Sequence, residues 1–189
     1  SAQKSLELKS SESRKQRMSF ESLITAVATQ LINLAPSEID NGINHTLQLI
    51  GEYAQADRSF ILLNKDQTLS YTHEWRKEGI PSSLNILENM PLTRFPWLRD
   101  KLMEATYVII PHTAQIPAEA HLERLFFQEN GIISFAAISM IYQDTFVGIL
   151  GLEMCHESRQ WDEEVSLLKI AGQMITNALK RKEIEQHEK

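Results

Sequence analysis

Two pairs of apolar runs, each joined by a short polar turn, constrain this chain more than any other feature. Ser59-Phe60-Ile61-Leu62-Leu63 is followed by Leu69 to Trp75 across Asn64-Lys65-Asp66-Gln67, and Ile132 to Ile141 by Phe146 to Glu153 across Tyr142-Gln143-Asp144-Thr145. β-Branched and aromatic residues suit a pleated strand, and a turn this short sets consecutive strands side by side in opposite directions. Parallel neighbours need a crossover of about a dozen residues or more, so two hairpins argue for a largely antiparallel sheet.

Around the hairpins the apolar spacing becomes helical. Phe20, Leu23, Ile24, Val27, Leu31 and Leu34 recur at steps of three and four, a stripe ended by Pro36. Ser37 and Asp40 stand at capping-box spacing before a second stripe of Ile39, Ile43, Leu47, Ile50 and Ala54. Between the hairpins, Gly79 to Met90 reads as a long loop, with a short helix after Pro96. A short strand at Tyr107 to Ile110 and a helix from Pro117 to Asn130, stopped by Gly131, follow. Asp162 is predicted to cap a last helix with an acidic first turn and Lys180, Arg181 and Lys182 in its last turn. Val165, Leu168, Ala171, Ile175 and Leu179 form its stripe, which Leu167, Ile170, Met174 and Ala178 widen beyond what one flat surface needs. The expectation is an α+β fold.

At 189 residues, 42% of them hydrophobic, the chain suits one substantial core. Residues 1–18 have few large apolar groups and read as a linker or signalling helix from an upstream domain, residues 19–182 as the domain, and 183–189 as a helix extension or linker. A net charge of −6 argues against nucleic acid as a partner. The single cysteine, Cys155, rules out an internal disulfide framework and fits a reducing cytoplasm. The longest apolar stretch, near Ile132 to Tyr142, is too short to span a membrane. The start at Ser1-Ala2, without Met or signal segment, reads as that of a fragment whose output domain lies elsewhere.

Several passages together resemble a GAF domain, here of a bacterial multidomain signalling protein such as a sensor histidine kinase or nucleotide cyclase. They are Gly51-Glu52-Tyr53-Ala54-Gln55-Ala56-Asp57-Arg58, Tyr71-Thr72-His73-Glu74-Trp75, Phe95-Pro96-Trp97, Met140-Ile141-Tyr142-Gln143-Asp144-Thr145-Phe146-Val147-Gly148 and Trp161-Asp162-Glu163-Glu164. The resemblance implies a central antiparallel sheet of about five or six strands, with terminal helices on one face and a loop-and-helix-covered pocket on the other. It implies a sensory or regulatory module, not an enzyme, that binds an unknown small-molecule ligand and biases an attached output domain. Trp75, Phe95, Trp97, His112 and Phe126 are the expected ligand-binding residues. Homodimerisation through the terminal helices is expected at Leu23, Val27, Leu31, Val165, Leu168, Ile175 and Leu179. The alternatives are a ligand-free scaffold serving only dimerisation, or a small redox enzyme of the methionine sulfoxide reductase type.

Specific chemistries of the family fit poorly. Cyclic-nucleotide-binding members carry an Asn-Lys pair before the last helix, where this chain reads Glu153-Met154-Cys155-His156-Glu157. Bilin-binding members attach the chromophore to a cysteine often followed by His, but Cys155-His156 lies after the last strand instead of on a helix beside the pocket. Reduction of methionine sulfoxide needs a second, resolving cysteine. His45, His73, His112, His121, His156 and His187 show no metal-ligand spacing. The sequence names no cofactor, no metal and no catalytic residue.

Overall fold

The computed structural model describes residues 2–188, the side chains of residues 11–19 excepted. In chain order the elements are α1 (Ala2–Ile32), α2 (Ile39–Ala54), β1 (Arg58–Lys65), β2 (Thr68–Arg76), β3 (Met90–Pro91), α3 (Pro96–Glu104), β4 (Tyr107–Ile110), α4 (His121–Glu129), β5 (Ser134–Tyr142), β6 (Thr145–Met154) and α5 (Glu163–His187), with short 3-10 turns between some of them. Both hairpins form. Asp66 and Gln67, with φ of 52° and 66°, turn the first, and Gln143 and Asp144, with φ of 47° and 62°, turn the second. Two successive left-handed residues match the twist of the strands they join.

The hairpins meet where β1 pairs with β6, giving a six-stranded sheet in the order β3-β2-β1-β6-β5-β4 with every neighbouring pair antiparallel. This is the expected α+β architecture. The edge strand β3 was not foreseen: two residues from the far end of the long loop pair with Thr68 and Leu69.

Each face of the sheet carries its own core. On one face α1, α2 and α5 bury Val27, Ile43, Leu47, Ile61, Leu150 and Leu168 among others. At one end of this layer Phe20 of α1 meets Tyr53 of α2, with ring centroids 6.2 Å apart. Burial, and then the charges of Glu163 and Glu164 at the start of α5, push the Tyr53 hydroxyl up. At the other end, Arg181 of α5 donates to the carbonyls of Ile32 and Leu31 at 2.9 and 2.8 Å, closing the C-terminus of α1. Thus α1 and α5 run parallel and α2 runs against both.

This packing places most of the side chains expected at the terminal-helix interface inside the domain. Leu23, Val27, Leu31, Leu168 and Ile175 lie inside the helix-to-sheet core, and Val165 and Leu179 pack against its margin. Side chains that fill the domain's own core are not free to meet a partner. Two caps are corrected. A 3-10 turn at Pro36–Glu38 leads into α2, which has no side-chain cap, and Asp162 makes no capping bond at α5. Trp161 anchors the entry to α5 instead: it is buried, its Nε1 donates to Ser134 Oγ at 2.8 Å, and Arg159 lies 4.6 Å from its ring. Because α5 continues to His187, the Lys180-Arg181-Lys182 triplet precedes the last turn. Among the described residues no helix is long and apolar enough to cross a membrane.

Candidate functional site

The second core lies on the sheet face opposite the long helices, under a cover made of α3, α4 and the loop from Gly79 to Met90. Aromatic rings run through it in tilted and edge-to-face contacts. Phe95 and Phe126 are 5.1 Å apart, Phe126 and Phe127 5.9 Å, Phe127 and Phe135 5.2 Å, and Phe60 lies 5.8 Å from Phe135 and 5.4 Å from Tyr71. Within this stack, between Phe95, Leu98, Phe126 and the strands, is an apolar cavity of about 30 Å³. A second of about 20 Å³ lies on the other side of Phe95, toward Leu92 and Phe146. Each has room for about one or two waters, whereas pockets that enclose drug-sized ligands run to roughly 300 Å³ and above. The cover leaves little free space beneath it.

Of the five expected ligand-binding residues, Phe95 and Phe126 line the cavity, and Trp97 packs against the same core with Lys101 Nζ 5.9 Å from its ring. Trp75 and His112 are not among the residues that line this cavity. Strict alternation puts Leu69, Tyr71, His73 and Trp75 on one face, but the register slips at Thr72: Leu62 pairs with Tyr71 and Ile61 with His73. This bulge keeps Tyr71 toward the cavity and turns His73 and Trp75 to the helices. Trp75 packs so closely on Gly51 of α2 that a β-carbon there would overlap its ring. His112 is spent on local structure, its Nδ1 accepting the Ala114 N–H at 3.1 Å.

The polar groups of this face were missed by sequence reasoning. Arg58 and Glu153, almost wholly buried, form an ion pair across β1 and β6, with Nε and Nη2 each 2.8 Å from Oε2. Arg58 Nη1 donates to the Pro81 carbonyl at 2.7 Å, and Tyr71 Oη donates to Glu153 Oε1 at 3.4 Å. Burial pushes the Glu153 carboxyl up against the pull of Arg58, and lifts the Tyr71 hydroxyl well above its usual range. Glu74 holds the loop beside this pair, accepting from Ser82 Oγ at 2.9 Å and from the Ser83 hydroxyl and backbone N–H.

Glu123 of α4 also lines the cavity and is only 2% exposed, although its neighbours Leu122 and Leu125 are 42% and 50% exposed. Its Oε2 has no hydrogen-bond partner. Burial raises its carboxyl above the usual range, opposed by the backbone N–H groups of Glu123 and Trp97 and by His121. The one legible signal was spacing, since Glu123, Phe126 and Phe127 share a helix face.

Cys155 lies away from the cavity, past the end of β6. Its N–H donates to Asp57 Oδ2 at 2.7 Å, with His156 Nδ1 3.3 Å from the same oxygen. Burial pushes its thiol up to about 11, the opposite of an activated thiolate. A wider concavity, about 820 Å³, is an open groove beside this region, lined by Glu52, Trp75, Lys77, Glu78 and Glu157 among others. It is a solvated surface, and the enclosed aromatic cavity is the better candidate. Among the described residues no group of three or more His, Cys, Asp or Glu is placed to hold a metal.

Residues 38–179 match the family model described as GAF domain. The chain is 29% identical over 168 residues to the methanogenesis regulatory histidine kinase FilI of Methanothrix harundinacea (strain 6Ac), a match covering 84% of this chain and 18% of that protein. It therefore spans less than a fifth of that relative. Among solved structures, the phycocyanobilin-bound GAF domain from a cyanobacterial phytochrome superposes with a TM-score of 0.72 at 18% identity, covering 89% of this chain and 97% of that one. The chromophore-binding domain of the bacteriophytochrome RpBphP3 from R. palustris gives 0.74 at 15% identity, covering 88% and 62%. At such identities the likeness is one of fold.

Proposed function

The chain belongs to the GAF domain family, and from that premise we propose that it is a sensory module, without catalysis of its own, that takes a small molecule under the α3–α4 cover and biases an attached output domain. The carrying observation is the two-faced use of one sheet. Strands β1 and β6 hold Phe60 and Ile149 in the cavity-side core and Ile61 and Leu150 in the helix-side core, so a shift that admits a ligand loads the packing of α1 and α5. The histidine kinase relative supports a signalling output reached through these helices. Pairing with a second copy falls to their outward residues, such as Leu6, Leu8, Ile32 and Ile184, which are exposed. With the thiol raised to about 11 and away from the cavity, neither covalent chromophore attachment nor thiol redox chemistry has support here.

A second reading, a scaffold that has lost its ligand, is favoured by the small cavity volume. Native mass spectrometry of the purified protein, beside Phe126→Trp to fill the cavity, decides between the two. The sensory reading expects a non-covalent adduct on the wild type that is absent from the variant, with hydrogen exchange in α5 differing between bound and free forms. A mass without adduct, together with no stabilisation of the wild type by any member of a small-molecule library, supports the scaffold.

A further inference from the structure

Glu123 poses a question that the packing of α4 does not answer. A buried carboxylate is costly unless hydrogen bonds or an opposite charge compensate it, and buried polar atoms are nearly always satisfied. Here Oε2 stands without a partner in a cavity walled by Phe95, Leu98, Phe126 and Phe127. The adjacent cation does not answer it: Arg124 Nη2 donates to the Ile116 carbonyl, and its Nε is buried without a partner of its own rather than paired with Glu123. Inside the protein the carboxyl feels its own backbone N–H, the charge of His121 and the backbone N–H of Trp97 in the first turn of α3, yet Oε2 itself keeps no partner. The opposite wall is Tyr71, whose hydroxyl is committed to Glu153.

Given the ligand-binding reading above, on which this rests, we propose that Glu123 is the polar anchor of a site for a flat, mainly apolar cation: an aromatic or heteroaromatic frame carrying a protonated amine or amidine. The rings of Phe95, Phe126 and Phe127 take the frame, and the N–H groups meet Oε2, converting an unsatisfied acceptor into a charge-assisted hydrogen bond. Carboxylates and phosphates are disfavoured, since a second anion beside the Glu123 carboxyl in an apolar enclosure would find no counter-charge. Space comes from Phe95, which with Leu69, Met90, Leu98 and Ile149 lines both small cavities. Turning that one ring aside joins the two, so the ligand selects an opened form of the cover.

Three matched probes test this: 2-naphthylmethylamine, 2-methylnaphthalene and 2-naphthylacetate, titrated by calorimetry and amide NMR into the wild type, Glu123→Gln and, should the first variant fail to fold, Glu123→Met. The amine is expected to bind the wild type at least about tenfold more tightly than the hydrocarbon, and the acetate least well. In the variants the amine's advantage is expected to vanish while hydrocarbon binding stays. If the hydrocarbon binds but the amine has no advantage, or keeps it in the variants, the cavity stands and the anchor falls. If no probe perturbs the wild-type spectrum, the cavity reading falls with it.

Discussion

A charged pair buried as deeply as Arg58 and Glu153, with side chains 2% and 0% exposed, is held more by the penalty for separating it than by its own attraction. Arg58 also fixes the Pro81 carbonyl, and Glu153 accepts from Tyr71, so the pair ties the long loop and β2 to the sheet centre. Glu153→Gln should therefore destabilise the domain by about 3 kcal/mol or more, by leaving the guanidinium buried without its counter-charge. Arg58→Met with Glu153→Leu should recover most of that loss, since an apolar pair leaves neither charge orphaned. Urea denaturation of the single and double variants is the check, and a double variant as unstable as the single would show that the pair's hydrogen bonds to the loop and Tyr71 dominate. The residues hardest to read from sequence were of this kind. Arg58 and Glu153 stand 95 positions apart, and only the β1–β6 pairing, Arg58↔Glu153, brings them together.

At the scale of elements, the helices, hairpins and switches of period were legible because each is a local consequence of local residues. Pro36, Pro96 and Gly131 mark real boundaries, and Gly131, with φ of 65°, closes α4 in the left-handed conformation that only glycine adopts without strain. What was not legible depended on pairing between distant segments. The bulge at Thr72 changes the face on which His73 and Trp75 emerge, and nothing in the alternation of Leu69 to Trp75 announces it. The burial of Glu123 beneath exposed leucines likewise depends on where α3 comes to rest. The same reasoning yields a stabilising change. Gln143 and Asp144 hold φ of 47° and 62° without being glycine, so Gln143→Asn with Asp144→Gly relieves both positions. The paired substitution should raise stability by about 0.5–1 kcal/mol, seen as a higher melting temperature, and should leave probe binding in the cavity unchanged.

Across the whole molecule, the helical layer is locked to the sheet at one end by Asp40. Its carboxylate, at the start of α2, meets Lys182 Nζ of α5 at 2.6 Å and His73 Nε2 of β2 at 2.9 Å. The basic triplet read as a dipole partner for α5 thus serves other elements: Arg181 closes α1 and Lys182 closes this junction. The Lys182 hydrogen bond, against a smaller opposing effect of burial, and then His73 draw the Asp40 carboxyl below the 3.8 of a free aspartate. A carboxyl depressed by folding contributes stability that is present above its unfolded value and is lost as pH falls through its folded one. Because Asp40 is half exposed, solvent screens the tie and it should be worth under about 1 kcal/mol at pH 7. Asp40→Asn should therefore lower the urea midpoint slightly at neutral pH. The gap should narrow from about pH 5 downward and close once the wild-type carboxyl is protonated, and salt should shrink it at neutral pH. A gap independent of both pH and salt would mean that Asp40 acts through neutral hydrogen bonding alone. If the junction also carries a signal from cavity to α5, the same variant should blunt the change in α5 hydrogen exchange that ligand produces, while leaving the cavity's affinity nearly as it was.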